Sequence, residues 1–314
     1  MYNFKNLDLK KDAYTKKSEV RALEIAITQK CNFNCPYCGA YMGEGDELSV
    51  EEIIKAIEKV KSLERVILSG GEVTLKFEDC IKMAKYCKAN AIEFQINTNG
   101  SLLNKEKINE LVAAGMYTIH ISLNHTTRES HSEYYKVPAS VFDKIVENIV
   151  YCAEVVPTCV VESIFCEDFL DNIIGVNHFL SDLNVKKHEV QYGINKEIWE
   201  NHIEQEKIET VLQQLLDQKN DEMSIYTSCF RVFPSNKKFY DKYTNKNVYF
   251  TNCIEGHHSF HLHSNGDLIV CDLGFPYKFG NIRKGLNLNN LNFTTPEIRE
   301  FQNNHSCKKM CILN

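Results

Sequence analysis

The sequence predicts an α/β fold built on a parallel sheet. Six short apolar or alternating runs recur along the first two thirds of the chain, and each of the first five is followed by a segment of helical periodicity. Alternation of this kind lays successive strands side by side and parallel, with the helices as crossovers. A cysteine-rich stretch follows the first run directly, where the loops of such folds collect chemistry.

The runs are Leu23–Thr28, Arg65–Ser69, Glu93–Asn97, Thr118–Leu123, Thr158–Phe165 and His188–Tyr192. Ser49 to Glu52 is a capping box that opens the first helix, where Ile53, Ile54, Ile57 and Val60 share one face and Glu51, Lys55, Glu58 and Lys59 the other. The second helix, 78–89, turns Cys80, Ala84 and Cys87 inward, and these two thiols read as core filler. A third is capped by Asn104 and closed by Gly115, with Ile108, Leu111 and Val112 inward. A fourth starts at Ser140 and buries Phe142, Ile145, Ile149 and Cys152. Residues 168–183 read as a fifth and 204–218 as a sixth. Beyond them, 220–250 reads as a polar, aromatic bridge, and no internal repeat is found.

With 314 residues and 43% hydrophobic content the chain has room for one large domain and a smaller one. A net charge of -6 argues against a nucleic-acid backbone as partner. No stretch reaches the roughly 18 consecutive apolar residues of a membrane span, and residues 1–17 lack an apolar signal core. The expectation is a cytoplasmic protein whose 13 cysteines are reduced thiols and metal ligands.

Cys31, Cys35 and Cys38 follow the first strand at x3 and x2 spacing. Three soft thiolates on one short loop suit iron and sulfide, and hold three corners of a cube while leaving one iron open. A closed zinc site would want a fourth ligand, which the next ten residues do not offer. Gly70, Gly71 and Glu72 follow strand two, Thr98 to Gly100 follow strand three, and Ser122 and Asn124 end strand four. Loops after parallel strands share one rim, so these segments meet the cysteine loop there. Glycines let backbone approach a ligand closely, and Glu72 adds a carboxylate.

These motifs resemble the signature of radical S-adenosylmethionine (radical SAM) enzymes, Tyr37 being the aromatic residue before the last cysteine. The resemblance implies a partial (β/α)6 TIM-like barrel, and a 4Fe-4S cluster on Cys31, Cys35 and Cys38 whose open iron chelates SAM. It also implies reductive cleavage of SAM to a 5'-deoxyadenosyl radical that takes a substrate hydrogen atom. Gly70, Gly71 and Glu72 would bind the SAM amino group, with Val73 where relatives often carry Pro. Thr98, Ser122 and Asn124 would meet its ribose and carboxylate, and Tyr37 its adenine. Many relatives have Asp where Asn124 stands.

A second cysteine group closes the chain: Cys253, Cys271, Cys307 and Cys311, with Gly266 in a hairpin turn between two alternating runs. It resembles the twitch form of the SPASM extension, a small β-hairpin and helix domain with one auxiliary 4Fe-4S cluster; zinc is the alternative occupant. His257, His258, His261 and His263 on that hairpin divide between its faces and do not read as a metal site. Cys166 and Cys229 lie outside both groups and are candidate hydrogen donors for an epimerase, beside their plain reading as buried thiols.

The expected division is 1–20 lead, 21–195 radical SAM core, 196–250 helical and aromatic bridge, and 251–314 auxiliary domain. The expected function is modification of a ribosomally made peptide by crosslinking, epimerisation or oxidation, with flavodoxin or ferredoxin as electron donor. About twenty residues precede the first strand, too few for a separate leader-gripping module, which keeps a small-molecule dehydrogenase or epimerase of a sugar or aminocyclitol in view. A zinc-binding non-enzymatic protein is the third reading.

Overall fold

The computed structural model describes residues 18–38, 45–165, 167–192, 205–228, 242–243, 246–250, 255–271 and 275–304. The six expected strands are present: β1 (Ala22–Thr28), β2 (Arg65–Gly70), β3 (Glu93–Thr98), β4 (Thr118–Ser122), β5 (Thr158–Phe165) and β6 (Lys187–Tyr192). They pair parallel and in chain order.

Two strands were not expected. β7 (Ser224–Ser228) and β8 (Val248–Phe250) continue the parallel sheet past β6, so part of the stretch read as a bridge belongs to the barrel sheet. They are only five and three residues long, too short for a periodicity reading; the open edge of β6 recruits β7, and β7 recruits β8. On the other side, β9 (Ser259–Leu262) pairs parallel to β1, then antiparallel to β10 (Asp267–Cys271), which pairs with β11 (Phe275–Asn281). The expected hairpin therefore forms at Gly266, φ +92°, and continues the same sheet. The strand order is β11-β10-β9-β1-β2-β3-β4-β5-β6-β7-β8, and the sheet is not closed.

The helices are α1 (Val50–Ile57), α2 (Phe77–Ala89), α3 (Lys105–Ala114), α4 (Arg128–Tyr135), α5 (Ala139–Val155), α6 (Ile173–Asp182), α7 (Gln205–Gln218) and α8 (Pro296–Asn304). The capping box of α1 is complete: Ser49 Oγ accepts from Glu52 N at 3.2 Å, and Ser49 N donates to Glu52 Oε2 at 2.9 Å. Asn104 caps α3 by accepting from Lys107 N at 2.9 Å, and Gly115, φ +125°, ends it. α4 escapes the sequence reading because it has no apolar repeat; Thr127 caps it, left-handed Lys136 ends it, and it buries His131 and Tyr135. The expected fifth helix is divided into a 3-10 turn, Glu167–Phe169, and α6.

The strands alternate. Leu23, Ile25, Val66, Leu68, Phe94, Ile96, Ile119, Ile121 and Val190 are buried in one core with the helices, Cys80 and Cys87 among its filler. Burial pushes both of those thiols up to about 12. The opposite, inner face carries Glu24, Arg65, Glu93, Gln95, Asn97, His120, Ser122, Glu162 and Glu189. A parallel sheet covered on both sides would be apolar on both faces, so this polar face is not packed against a second apolar layer.

Arg283, beyond β11, fixes the C-terminal segment to the core. Its guanidinium donates to Glu52 Oε1 at 2.7 Å and Glu52 Oε2 at 3.0 Å, and to the carbonyls of Asp46 and Glu47 at 2.7 and 3.0 Å. The same carboxylate thus caps α1 and receives the bidentate pair.

Candidate active site

β1 ends at Thr28 and delivers the cysteine loop to the rim. Cys31 and Cys38 are exposed and Cys35 is half-buried, and all three are free thiols. Desolvation pushes Cys35 up to about 12, with Cys38 and Cys31 adding to it and a hydrogen bond from Tyr37 opposing. Cys31 is raised by the same desolvation, and by Glu72 and Cys38. Crowded thiols of this kind hold their protons until a cation takes their place, and iron does so. Among the described residues no three His, Cys, Asp or Glu side chains converge as one metal ion would require. The three thiols stand near enough on one loop to influence one another, and thiolates are the ligands that iron-sulfur clusters take.

The loop is braced on both sides. Asn32 donates to Ser101 Oγ at 2.9 Å and accepts from Asn99 Nδ2 at 2.9 Å, joining it to the loop after β3. Phe33 packs against Tyr135 at 5.4 Å and His131 at 5.9 Å. Glu47 accepts from Thr28 Oγ1 at 2.8 Å and Gln29 N at 2.7 Å, and pairs with Lys76 at 2.8 Å. Burial would raise its pKa, but Lys76 and these donors hold it down at about 2.

Gly70 and Gly71 bring the loop after β2 against this segment. Gly70 has φ +121°, a conformation that favours glycine. Gly71 N donates to Thr28 O at 2.8 Å, and a Cβ at Gly71 would sit 2.1 Å from Lys30 O. The glycine is thus required by the backbone of the cysteine loop itself. Glu72 is fully buried. Its Oε1 accepts from Thr74 N at 3.0 Å, from Thr98 Oγ1 at 2.6 Å and from the Thr74 hydroxyl, and its Oε2 accepts from Asn99 N at 2.8 Å. Its carboxylate locks the second and third loops together.

The remaining sequence candidates separate. Thr98 is buried, with its hydroxyl shared between Glu72 and Gly100 N. Asn124 is buried, donating to Tyr37 OH at 3.2 Å and Tyr135 OH at 2.9 Å and accepting from Ile164 N at 2.7 Å. Tyr37 packs into an aromatic cluster, 5.5 Å from Phe169 and 6.2 Å from Tyr134. Burial, with Tyr135 and Cys35 beside it, pushes its phenol well above the ordinary range. Ser122 alone of this group is exposed.

Cys271 is buried beside Val270 and Ile298 at the end of β10. Cys253, Cys307, Cys311, Cys166 and Cys229 lie outside the described residues. Of the four hairpin histidines, His257, His258 and His263 are buried, while His261 lies on the inner face 3.4 Å from Glu255.

Sequence reasoning missed Asn32, Glu47 and Tyr135 as parts of the site. Asn32 sits in the x3 spacer and was readable as a loop anchor; Glu47 and Tyr135 reach the site only through folding.

Residues 25–177 match the sequence profile described as the Radical SAM superfamily. An uncharacterised protein of Methanocaldococcus jannaschii is 32% identical over 148 residues, 47% of this chain and 49% of that protein. A probable GTP 3',8-cyclase of Thermococcus kodakarensis is 32% identical over 143 residues, 43% of this chain and 46% of that protein. An AdoMet-dependent heme synthase of Methanosarcina barkeri is 31% identical over 125 residues, 38% of this chain and 36% of that protein. The chain spans about half the length, or less, of these curated relatives.

Among solved structures, Streptococcus suis SuiB bound to the precursor peptide SuiA matches 96% of this chain and 70% of its own, with TM-score 0.69 and 17% identity. The anSMEcpe structure with bound AdoMet matches 89% of this chain and 82% of its own, with TM-score 0.63 and 16% identity. At these identities the likeness is one of fold. Residues 25–177, with the three-cysteine loop near their start, form a radical SAM superfamily domain, and the members of that superfamily are enzymes.

Proposed function

We propose that the chain holds a 4Fe-4S cluster on Cys31, Cys35 and Cys38 and binds SAM at its open iron, to take a hydrogen atom from a ribosomally made peptide. The single observation that carries this is the bracing of the cysteine loop, through Asn32, Gly71 and Glu47, against the loops after β2 and β3 and the start of α1. When bound, cluster and SAM supply one-electron cleavage of the sulfonium, with 5'-deoxyadenosine as the product once a substrate hydrogen atom is taken. The chain's own contribution is to hold the loop rigidly. The backbone around Gly70 and Gly71 is the candidate for the SAM amino group, and exposed Ser122 for its ribose or carboxylate.

Cys253, Cys271, Cys307 and Cys311 are proposed to hold an auxiliary cluster in a twitch-like segment, residues 251–314, with 21–195 as the core. The burial of Cys271 on an apolar cluster supports this, because a fully ligated cluster is sheltered from water. Cys166 or Cys229 would donate the returning hydrogen atom if the product is an epimer. A flavodoxin or ferredoxin as electron donor and a cytoplasmic location complete the reading. Among the described residues no helix is long and apolar enough to cross a membrane.

The peptide class is supported by the fold shared with SuiB, a structure that contains a precursor peptide. The small-molecule reading is supported by the relatives named GTP 3',8-cyclase. Release of 5'-deoxyadenosine, measured with the product of any short reading frame found beside the gene and separately with GTP, decides between them. Stimulation by the peptide alone supports the first reading, and stimulation by GTP alone overturns it.

A further inference from the structure

One buried serine of the C-terminal hairpin is bonded to the chain on both sides of the cysteine loop. Ser264 lies in the turn between β9 and β10 and is fully buried. Its Oγ accepts from Gln29 Nε2 at 3.0 Å, two residues before Cys31. Its carbonyl accepts from Leu48 N at 2.6 Å, ten residues after Cys38. Glu47 joins the same two segments by accepting from Thr28 Oγ1 and Gln29 N. Arg283 holds the outgoing side a second time, by donating to the carbonyls of Asp46 and Glu47.

The hairpin turn and Arg283 are tied together by Asn281, the last residue of β11. Its Nδ2 donates to Asn265 O at 3.0 Å and to Asp267 Oδ1 at 2.7 Å, and its Oδ1 accepts from Arg283 N at 2.9 Å. Next to it, Ile282 N donates to Gly266 O at 2.8 Å. Gly266, φ +92°, makes the close approach possible, since a Cβ there would lie 3.1 Å from Asn281 Oδ1. Ser264 and Arg283 are thus two prongs on one base.

Bringing three thiols together on a loop costs chain entropy, and less of it when the ends of the loop are already fixed. Asn32 and Gly71 fix the loop toward β2 and β3, on one side of β1. The two prongs fix it from the other side, where β9 pairs with β1. Because Ser264 is buried, water does not readily replace its bond to Gln29.

Building on the radical SAM reading of the cysteine loop, we propose that Ser264, Asn281 and Arg283 are positioning residues for the cluster. Ser264 and Arg283 act on Gln29 and Asp46 from 235 and 237 positions away, and so set where Cys31, Cys35 and Cys38 present their thiols. The C-terminal hairpin is then part of the SAM site, and this role does not depend on an auxiliary cluster.

The test is amide hydrogen exchange, read by mass spectrometry on the full chain without iron, in wild type, Gln29→Met, Ser264→Ala and the double variant. Met keeps the length of the Gln29 side chain, and Ala removes only the hydroxyl. Exchange in peptides spanning 28–33 should rise about fivefold or more in each single variant, and the double variant should add less than about twofold, since both changes remove one bond. Arg283→Ala should act in the same way on peptides spanning 45–50, and peptides of β4 and β5 should exchange as in wild type. On reconstituted, dithionite-reduced samples, the SAM concentration at half of the SAM-dependent change in the EPR spectrum should rise about threefold or more in Ser264→Ala. A serine that served only the fold would leave that midpoint where it is. Unchanged exchange at 28–33, faster exchange throughout the chain, additive effects in the double variant or an unchanged EPR midpoint overturns the proposal. Failure of the radical SAM reading shows separately, as no iron or no SAM-dependent change in the wild type, while exchange still reports on the clamp.

Discussion

The Thr98 hydroxyl donates to Glu72 Oε1 at 2.6 Å, a buried bond that joins the ends of two neighbouring strands directly behind the cysteine loop. Through Asn99, whose N–H donates to Glu72 Oε2 and whose side chain bonds Asn32, the same carboxylate is two hydrogen bonds from the cysteine loop. The position of the thiols is therefore set by groups that do not themselves touch a cluster.

Glu72→Ala should be costly for that reason. It leaves the donors of Thr74, Thr98 and Asn99 without their acceptor in a dry site, a loss of about 2–4 kcal/mol. Urea unfolding measures it, and Glu72→Gln should recover part of the loss. Stability within about 0.5 kcal/mol of wild type in the Ala variant would show that the brace is unimportant.

Gly71→Ala places a Cβ 2.1 Å from Lys30 O, and the obstacle is backbone, which cannot rotate away. The expected result is a displaced cysteine loop, with iron at Cys31, Cys35 and Cys38 reduced by half or more after anaerobic reconstitution, and a clear loss of thermal stability. An Ala variant with normal iron content would mean that the loop accommodates the methyl group.

Acid should destabilise the protein before its carboxylates are protonated. His188 is fully buried, its Nε2 2.9 Å from Ser163 Oγ, and burial pushes it down to about 3. With an unfolded value near 6.5, the unfolded chain binds the proton first, so stability is lost as pH falls from about 6.5 toward 3. Burial lowers His125 and His131 as well, so they act in the same direction. His120, which is raised, acts with the opposite sign: its contribution is full below about 6.5 and is lost as pH rises through its folded value. Glu47 and Glu52, each held at about 2, matter only below about 4.5. Between pH 6.5 and 4.5, His188→Gln should flatten the slope of unfolding free energy against pH by up to about 1.4 kcal/mol per pH unit. An identical slope in wild type and variant would contradict the assignment.

Arg283→Ala removes the bidentate bond to Glu52 and the bonds to Asp46 and Glu47. The side chains are partly exposed, so a loss of about 1 kcal/mol is expected, smaller in high salt. A loss above about 3 kcal/mol would show that the C-terminal segment depends on this contact far more than its exposure implies.

Much of the fold was legible because its signals are local. The capping box at Ser49, the cap at Asn104 and the alternating runs of the first six strands depend on neighbours in sequence, and each appears where the sequence places it. β7, β8 and α4 were not legible: the strands need the edge of β6, and α4 buries His131 and Tyr135 without an apolar repeat. The site divides in the same way. The cysteine spacing and the glycines can be read directly, but the engagement of Thr98, Asn124 and Tyr37 by Glu72, Ile164 and the aromatic cluster is visible only once distant loops meet.

The most direct test of the central claim uses anaerobically reconstituted wild-type protein and the triple variant Cys31→Ala/Cys35→Ala/Cys38→Ala, with iron, sulfide and 5'-deoxyadenosine release under dithionite measured on the same samples. The account predicts about eight irons per chain in the wild type and about four in the variant, with 5'-deoxyadenosine formed only by the wild type. Release of 5'-deoxyadenosine by the variant, or zinc in place of iron with no release by the wild type, would contradict it.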